Sequence, residues 1–274
     1  MTTSIELLNG FAVETTGGGS GDPLILIHGA VTFQGCRPLL TQSLLSGTRR
    51  VIHYFRRGYG QSPPLPDGFT VADHAADFCT LLHRLGITRA HVLAHSIGAP
   101  IAMQAALDDP ELVRSLVLVE PTWVSRPALL GEFSERMSPI VQSYLAGEPR
   151  AATHQMLRMI DGDSFSTTLD RAFGPGWFDY AVDAFDIYIR TELPGVVAWT
   201  LDEERASRLT QPVLVITGGD SPDVFKDIAR DTIARFPSTR GVSVDGGAHN
   251  LIAARPAAVA AVIHDFLVEF DHSR

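Results

Sequence analysis

Lysine is almost absent from this chain: Lys226 is the only one in 274 residues, and the other positive charges are scattered arginines. With a formal net charge of -9 and no basic run, the composition argues against nucleic acid and against anionic membrane surfaces as partners, since both need clustered Lys and Arg. Cysteine is scarce too. Cys36 and Cys79 are too few for a disulfide framework and lack metal-site spacing, so both read as thiols. Cys79 is expected on a helix facing the core, and Cys36 as a small apolar filler or a pocket-lining residue. No apolar stretch approaches the ~20 residues of a membrane span, and the start, Met1-Thr2-Thr3-Ser4-Ile5-Glu6, lacks the cationic opening of a signal peptide. A soluble, cytoplasmic protein is expected, with a small molecule as partner and a homodimer as a possible assembly. Internal repeats are missing, and low complexity is confined to Gly17-Gly18-Gly19-Ser20-Gly21.

What is present is an alternation of strands and helices. Residues 5–15 read as two short strands around Asn9-Gly10, a hairpin signal. Residues 23–27 are a continuous apolar run that ends at His28-Gly29-Ala30, as a strand buried on both faces would. A second strand at 50–55 closes on the Gly/Pro-punctuated segment Arg56 to Pro64. A helix follows at 71–85, stopped by Gly86. The apolar strand at 89–93 then gives way, through Ala94-His95-Ser96-Ile97-Gly98, to an Ala-rich helix at 98–107. After the break Asp108-Asp109-Pro110 come strands at 115–119, 212–217 and 240–244, the last followed by Asp245-Gly246-Gly247-Ala248-His249-Asn250 and a final helix. Such alternation means a mostly parallel sheet with helices on both faces.

Ser96 stands at a strand-to-helix corner with small residues two before and two after it, Ala94 and Gly98, which allow the sharp turn that lifts a hydroxyl clear of both elements. His28-Gly29-Ala30, Arg57-Gly58-Tyr59-Gly60-Gln61-Ser62, this corner and His249 resemble the oxyanion loop, the Arg-Gly-x-Gly-x-Ser segment, the nucleophile elbow and the base of the α/β-hydrolase superfamily. The resemblance spans nearly the whole chain. Ala94 in the first small position and Tyr54-Phe55 before the Arg-Arg-Gly turn depart from the commonest forms, without touching the chemistry.

The resemblance implies the α/β-hydrolase fold, with a helical cap inserted before the penultimate strand. The core is expected at residues 1–121 and 210–274, and the cap at 122–209, where the strand pattern lapses and aromatics gather. Trp123 and Trp177 are the cap residues expected to face the substrate, and Gly174-Pro175-Gly176 is expected to form a hinge or turn.

A serine hydroxyl is a weak nucleophile at neutral pH unless a base takes its proton, which an imidazole can do. His249, on the loop after the last strand, is that base. His95 and His28 lie on the elbow and the oxyanion loop instead. Two carboxylates compete for the role of acid. Asp220, in Gly218-Gly219-Asp220-Ser221-Pro222-Asp223, follows the strand after the cap, but falls one residue early for the usual Gly-x-x-Asp spacing, where Ser221 stands. Glu120 ends the buried strand before the cap, where a carboxylate is costly unless paired. The segment resembles zearalenone-lactonase-type hydrolases and haloalkane dehalogenases, which use a glutamate after this earlier strand, and Glu120 is favoured. The oxyanion donors are expected to be the N–H groups of Ile97 and Ala30, with Gly29 as the alternative to Ala30.

These residues imply a metal-free, cofactor-free serine hydrolase for an ester or lactone of moderate size and apolar or aromatic character. Carbon–carbon bond hydrolysis by the same triad, or a hydrolase-derived receptor for a small lactone, are the other readings.

Overall fold

The computed structural model describes residues 5–8, 10–236 and 238–271. Ile5–Leu8 (β1) and Phe11–Thr16 (β2) pair antiparallel from Leu8 opposite Phe11 to Ile5 opposite Glu14. Of the expected turn dipeptide, Gly10 takes a left-handed φ of 91°; Asn9 lies outside the described residues, as do Met1 to Ser4. The other strands are β3 (Gly21–Ile27), β4 (Arg49–Tyr54), β5 (Ala90–His95), β6 (Val113–Val119), β7 (Val213–Gly218) and β8 (Thr239–Val244). They form one sheet in the order β1-β2-β4-β3-β5-β6-β7-β8. The β2–β4 pair is antiparallel and every pair from β4–β3 to β7–β8 is parallel.

The period of two along β3 explains why the sheet is covered on both faces. Ile25 and Ile27 enter one apolar cluster while Leu24 and Leu26 enter another, so a continuous apolar run fills two cores at once. A short helix, α1 (Ser43–Ser46), precedes β4. Helix α2 (Val71–Arg84) starts at a reciprocal capping box, in which Asp73 N–H donates to Thr70 Oγ1 at 3.1 Å and Thr70 N–H to Asp73 Oδ2 at 2.9 Å. Helix α3 (Gly98–Asp108) follows the elbow.

Between β6 and β7 the chain leaves the sheet for a run of helices: α4 (Pro127–Leu145), α5 (Pro149–Asp161), α6 (Phe165–Phe173), α7 (Trp177–Ile187), α8 (Leu193–Ala198) and α9 (Glu203–Ser207). Gly174-Pro175-Gly176 makes the turn between α6 and α7, with φ of 77° and 86° at its two glycines. Tyr188–Glu192 winds as a π-helical turn in which the Leu193 N–H reaches back to the Tyr188 carbonyl. Pro194 supplies the reason: it has no N–H, and its ring crowds the carbonyl four residues back, so the α ladder cannot close there. The chain then returns through β7, α10 (Asp223–Arg235), β8, α11 (Leu251–Ala254) and α12 (Pro256–Asp271). Among the described residues no helix is long and apolar enough to cross a membrane.

Candidate active site

β5 and β6 end side by side at the carboxyl edge of the sheet, and the residue after each does the same unusual thing. Ser96 has φ 55° and Glu120 φ 50°, and among the described residues these are the two non-glycine residues with positive φ. In both, the backbone N–H still continues the ladder, Ser96 N–H to Val119 O at 3.0 Å and Glu120 N–H to Ile216 O at 2.8 Å. The left-handed step then turns each side chain off the strand, at a cost of about 1–2 kcal/mol for a residue with a Cβ. Gly98 is required because a Cβ there would lie 2.9 Å from the Ile27 carbonyl oxygen, so α3 could not come so close to β3.

The imidazole of His249 arrives from the other end of the chain. His249 Nε2 lies 2.9 Å from Ser96 Oγ, and its Nδ1 faces Glu120 Oε2 at 3.4 Å. Neither Nδ1 nor Oε2 has another hydrogen-bond partner among the described residues, so the two are left for each other. All three side chains are buried. The second carboxylate oxygen, Oε1, accepts from Gly218 N–H at 2.6 Å and from Ser221 Oγ at 2.7 Å. Gly218 cannot carry a side chain, since its Cβ would fall 2.1 Å from the Gly247 carbonyl oxygen of the histidine loop.

Several neighbours hold the imidazole. Its ring lies 4.2 Å from that of Phe225, centroid to centroid, at 34°. The His249 carbonyl accepts from His95 Nε2 at 2.8 Å. Burial, and then the neighbouring His249, push His95 down to about 3, so it remains a neutral donor. Next along the loop, Asn250 N–H donates to Asp161 Oδ1 at 2.7 Å at the end of α5, and Thr32 Oγ1 lies 2.6 Å from Asn250 Oδ1. The helical insertion thus grips the loop that carries His249.

Next to Ser96, whose Oγ lies 3.4 Å from Thr122 Oγ1, runs a narrow slot of about 420 Å³, part of it open to solvent. Ile97, Thr122 and Trp123 line it together with Leu129, Tyr188 and Val196 of the insertion. The Trp123 indole N–H is already taken, donating to Thr232 Oγ1 at 3.0 Å, so its ring presents an apolar surface. The His28-Gly29-Ala30 loop and the turn at Ser96 are in contact: a Cβ on Gly29 would meet Ser96 Cβ at 3.0 Å.

Residues 22–256 match the model of a family described as alpha/beta hydrolase fold. The chain belongs to the α/β-hydrolase family. Over 267 residues it is 25% identical to an sn-1-specific diacylglycerol lipase, ABHD11, of Xenopus tropicalis, an alignment covering 92% of this chain and 77% of that one. Among solved structures, an enol-lactonase from Burkholderia xenovorans LB400 superposes with a TM-score of 0.77 at 19% identity, over 97% of this chain and 100% of that one. Naproxen esterase (carboxylesterase NP) from Bacillus subtilis gives 0.71 at 19%, over 97% and 90%.

In this α/β-hydrolase the remaining expected residues fall as follows. Ala30 and Ile97 are buried, and among the described residues neither backbone N–H donates to a protein acceptor. Asp220 follows β7 and its N–H donates to Gly247 O at 3.1 Å, while the carboxylate that reaches the imidazole is that of Glu120. Trp177 is not among the residues lining the slot. Its indole N–H donates to Asp170 Oδ1 at 2.6 Å and its ring packs against Phe165, Phe173 and Phe178. Sequence reading missed Ser221, Phe225 and Asp161. Only Ser221 had a local signal, its place in the register where an acid was expected.

Proposed function

We propose that this α/β-hydrolase is a serine esterase or lactonase whose acyl-enzyme forms on Ser96. The observation that carries the reading is the continuous file Ser96 Oγ, His249, Glu120, with separations of 2.9 and 3.4 Å, next to an apolar slot lined by Ile97 and Thr122. In this reading Ser96 Oγ attacks the substrate carbonyl as its proton passes to His249 Nε2, and Glu120 stabilises the imidazolium. The 3.4 Å contact tightens as that charge appears, since such contacts are often long in the free enzyme. The N–H groups of Ile97 and Ala30 receive the carbonyl oxygen as it becomes an oxyanion, each worth about 3 kcal/mol. His249 then protonates the departing alkoxide, and water repeats the sequence to release the acid.

The slot takes the acyl part, because its walls start at Ile97 and Thr122, directly beside the nucleophile. A slender alkyl or small aromatic group suits it better than a bulky one. The helical insertion acts as the cap and sets this preference through Leu129, Tyr188 and Val196. Ester and lactone chemistry is also what the names of the enol-lactonase and naproxen esterase describe for those proteins.

The test is a panel of nitrophenyl esters of increasing chain length, aliphatic lactones and a ring-cleavage diketone, combined with a fluorophosphonate probe and mass spectrometry. Turnover of esters or lactones with the adduct on Ser96 is the expected result. An adduct elsewhere, or turnover of the diketone alone, would overturn it.

A further inference from the structure

Arg56 is fully buried and touches none of Ser96, His249 and Glu120, so the reaction as described above leaves it without a role. Two arms of its guanidinium are nevertheless spent on the His28-Gly29-Ala30 loop. Nε donates to the His28 carbonyl at 3.2 Å and Nη2 to the Gly29 carbonyl at 2.8 Å. The Arg56 backbone N–H donates to His28 Nε2 at 2.9 Å, which leaves the imidazole proton on Nδ1, and Nδ1 donates to the same Gly29 carbonyl at 2.6 Å. That oxygen therefore holds two donors, one of them charged.

The Gly29 carbonyl and the Ala30 N–H belong to one planar trans peptide, so fixing the first in direction fixes the second, pointing the opposite way. A cation on the oxygen also draws electron density from the amide and makes its N–H a better donor. This peptide adjoins the nucleophile, as the 3.0 Å separation between a Cβ built on Gly29 and Ser96 Cβ shows. The remaining arm of the guanidinium, Nη1, donates to Glu192 Oε1, while Tyr59 Oη donates to Glu192 Oε2 at 2.5 Å and His74 Nε2 lies 3.6 Å from Oε1. Glu192 is not part of the sheet domain. It closes the π-helical turn of the insertion whose first residue, Tyr188, lines the slot. A buried ion pair is by itself weak evidence for stability, because desolvation offsets the attraction; here it is the aim of Arg56, at two successive carbonyls of the loop beside Ser96, that carries meaning.

We propose that Arg56 and Glu192 are positioning residues that set the direction of the Ala30 N–H, so that the oxyanion hole is complete only while the helical insertion is seated on the sheet. The inference rests on the serine-hydrolase reading. It makes the slot and the hole interdependent: one five-residue turn contributes Tyr188 to the first and Glu192 to the second.

Glu192→Gln, Arg56→Lys and the paired variant Arg56→Met with Glu192→Met test it on the full chain. Each is first titrated to completion with a fluorophosphonate, so that rates refer to folded sites, and then assayed with a nitrophenyl ester of a chain length that wild type accepts. A trifluoromethyl ketone, which adds reversibly to Ser96 Oγ as a tetrahedral oxyanion, measures the hole directly. The expected result is a fall in kcat per titrated site of about ten- to a hundredfold, below the full loss of a donor, with KM within about threefold. Ketone affinity should fall by the same factor as kcat/KM. The paired apolar variant removes the unpaired charge that could unfold Glu192→Gln, and it should remain slow although folded. Wild-type kcat per titrated site in the paired variant and in Glu192→Gln, with only melting temperature or KM altered, would show a merely structural pair. Failure of wild type to be labelled at Ser96 overturns the hydrolase reading and this inference together, whereas normal labelling with unaffected variants overturns the positioning role alone.

Discussion

The Ser221 hydroxyl donates to Glu120 Oε1 at 2.7 Å. Ser221 occupies the register in which the commoner arrangement of this fold has its acid, and here its hydroxyl holds the Glu120 carboxylate. Together with the Gly218 N–H at 2.6 Å, it satisfies the oxygen that faces away from His249 and leaves the other oxygen for the imidazole.

Glu120→Gln is therefore expected to lower kcat by about ten-thousand-fold, the loss seen for an amide in another triad. With its carbonyl held by Gly218 and Ser221, the new amide would turn its NH2 toward His249 Nδ1 and favour the wrong tautomer. Asp220→Asn should stay within about threefold of wild type. Steady-state kinetics on both variants decide; a crippled Asp220→Asn beside a nearly normal Glu120→Gln would move the acid to β7.

Ser221→Ala should act in between. A hydrogen bond to a charged group contributes about 1.5–3 kcal/mol, and one other donor remains, so kcat should fall about tenfold with KM unchanged. An unchanged kcat would mean that Gly218 alone orients the carboxylate.

At Ser96 two truncations separate chemistry from backbone strain. Ser96→Ala and Ser96→Gly should each lose about a million-fold in turnover. They should differ in stability, because at φ 55° alanine keeps the strained left-handed backbone and glycine does not. The glycine variant is expected to be about 1 kcal/mol the more stable of the two in urea unfolding. Equal midpoints would remove the strain from the account of the elbow.

Acid should weaken the fold before it titrates most carboxylates. Burial, then the charge on Arg56, hold His28 and His74 well below the ordinary imidazole value, and burial followed by His249 brings His95 to about 3. Above about pH 6.5 these groups are neutral folded or unfolded and contribute no pH dependence. Below it the unfolded chain takes up protons that the folded chain refuses, so stability falls as pH falls, by about 1.4 kcal/mol per pH unit for each histidine. Asp161 opposes this at lower pH, since burial raises its carboxyl and the folded state then holds the proton more tightly. Urea midpoints that do not change between pH 7 and 5 would contradict this.

Much of this protein was legible in the order of its residues, because the signals involved act over a few positions. Apolar runs bounded by Gly, Pro and Asp located the strands to within one or two residues at most ends: the run at 23–27 became Gly21–Ile27, and that at 50–55 became Arg49–Tyr54. The strand expected at 89–93 instead extends to His95, carried up to the elbow by pairing with β6 that no local pattern announces. Ser96 between small residues, and His249 on the loop after the last strand, were likewise candidates from local context alone. What only the tertiary structure decided is which distant side chains meet. Glu120 and Asp220 were both plausible carboxylates at the same sheet edge; the register of β6 against β7 brings the first to His249 and puts Ser221 behind it. Trp123 and Trp177 were equal as aromatics of one insertion, and helix packing sent one to the slot and the other to a ring cluster with Phe165 and Phe173. Arg56 finds Glu192 across 136 positions. Periodicity and turn chemistry are properties of neighbours in the chain, whereas these contacts depend on strand order, register and the crossing of helices, which arise only when the two cores close around the sheet.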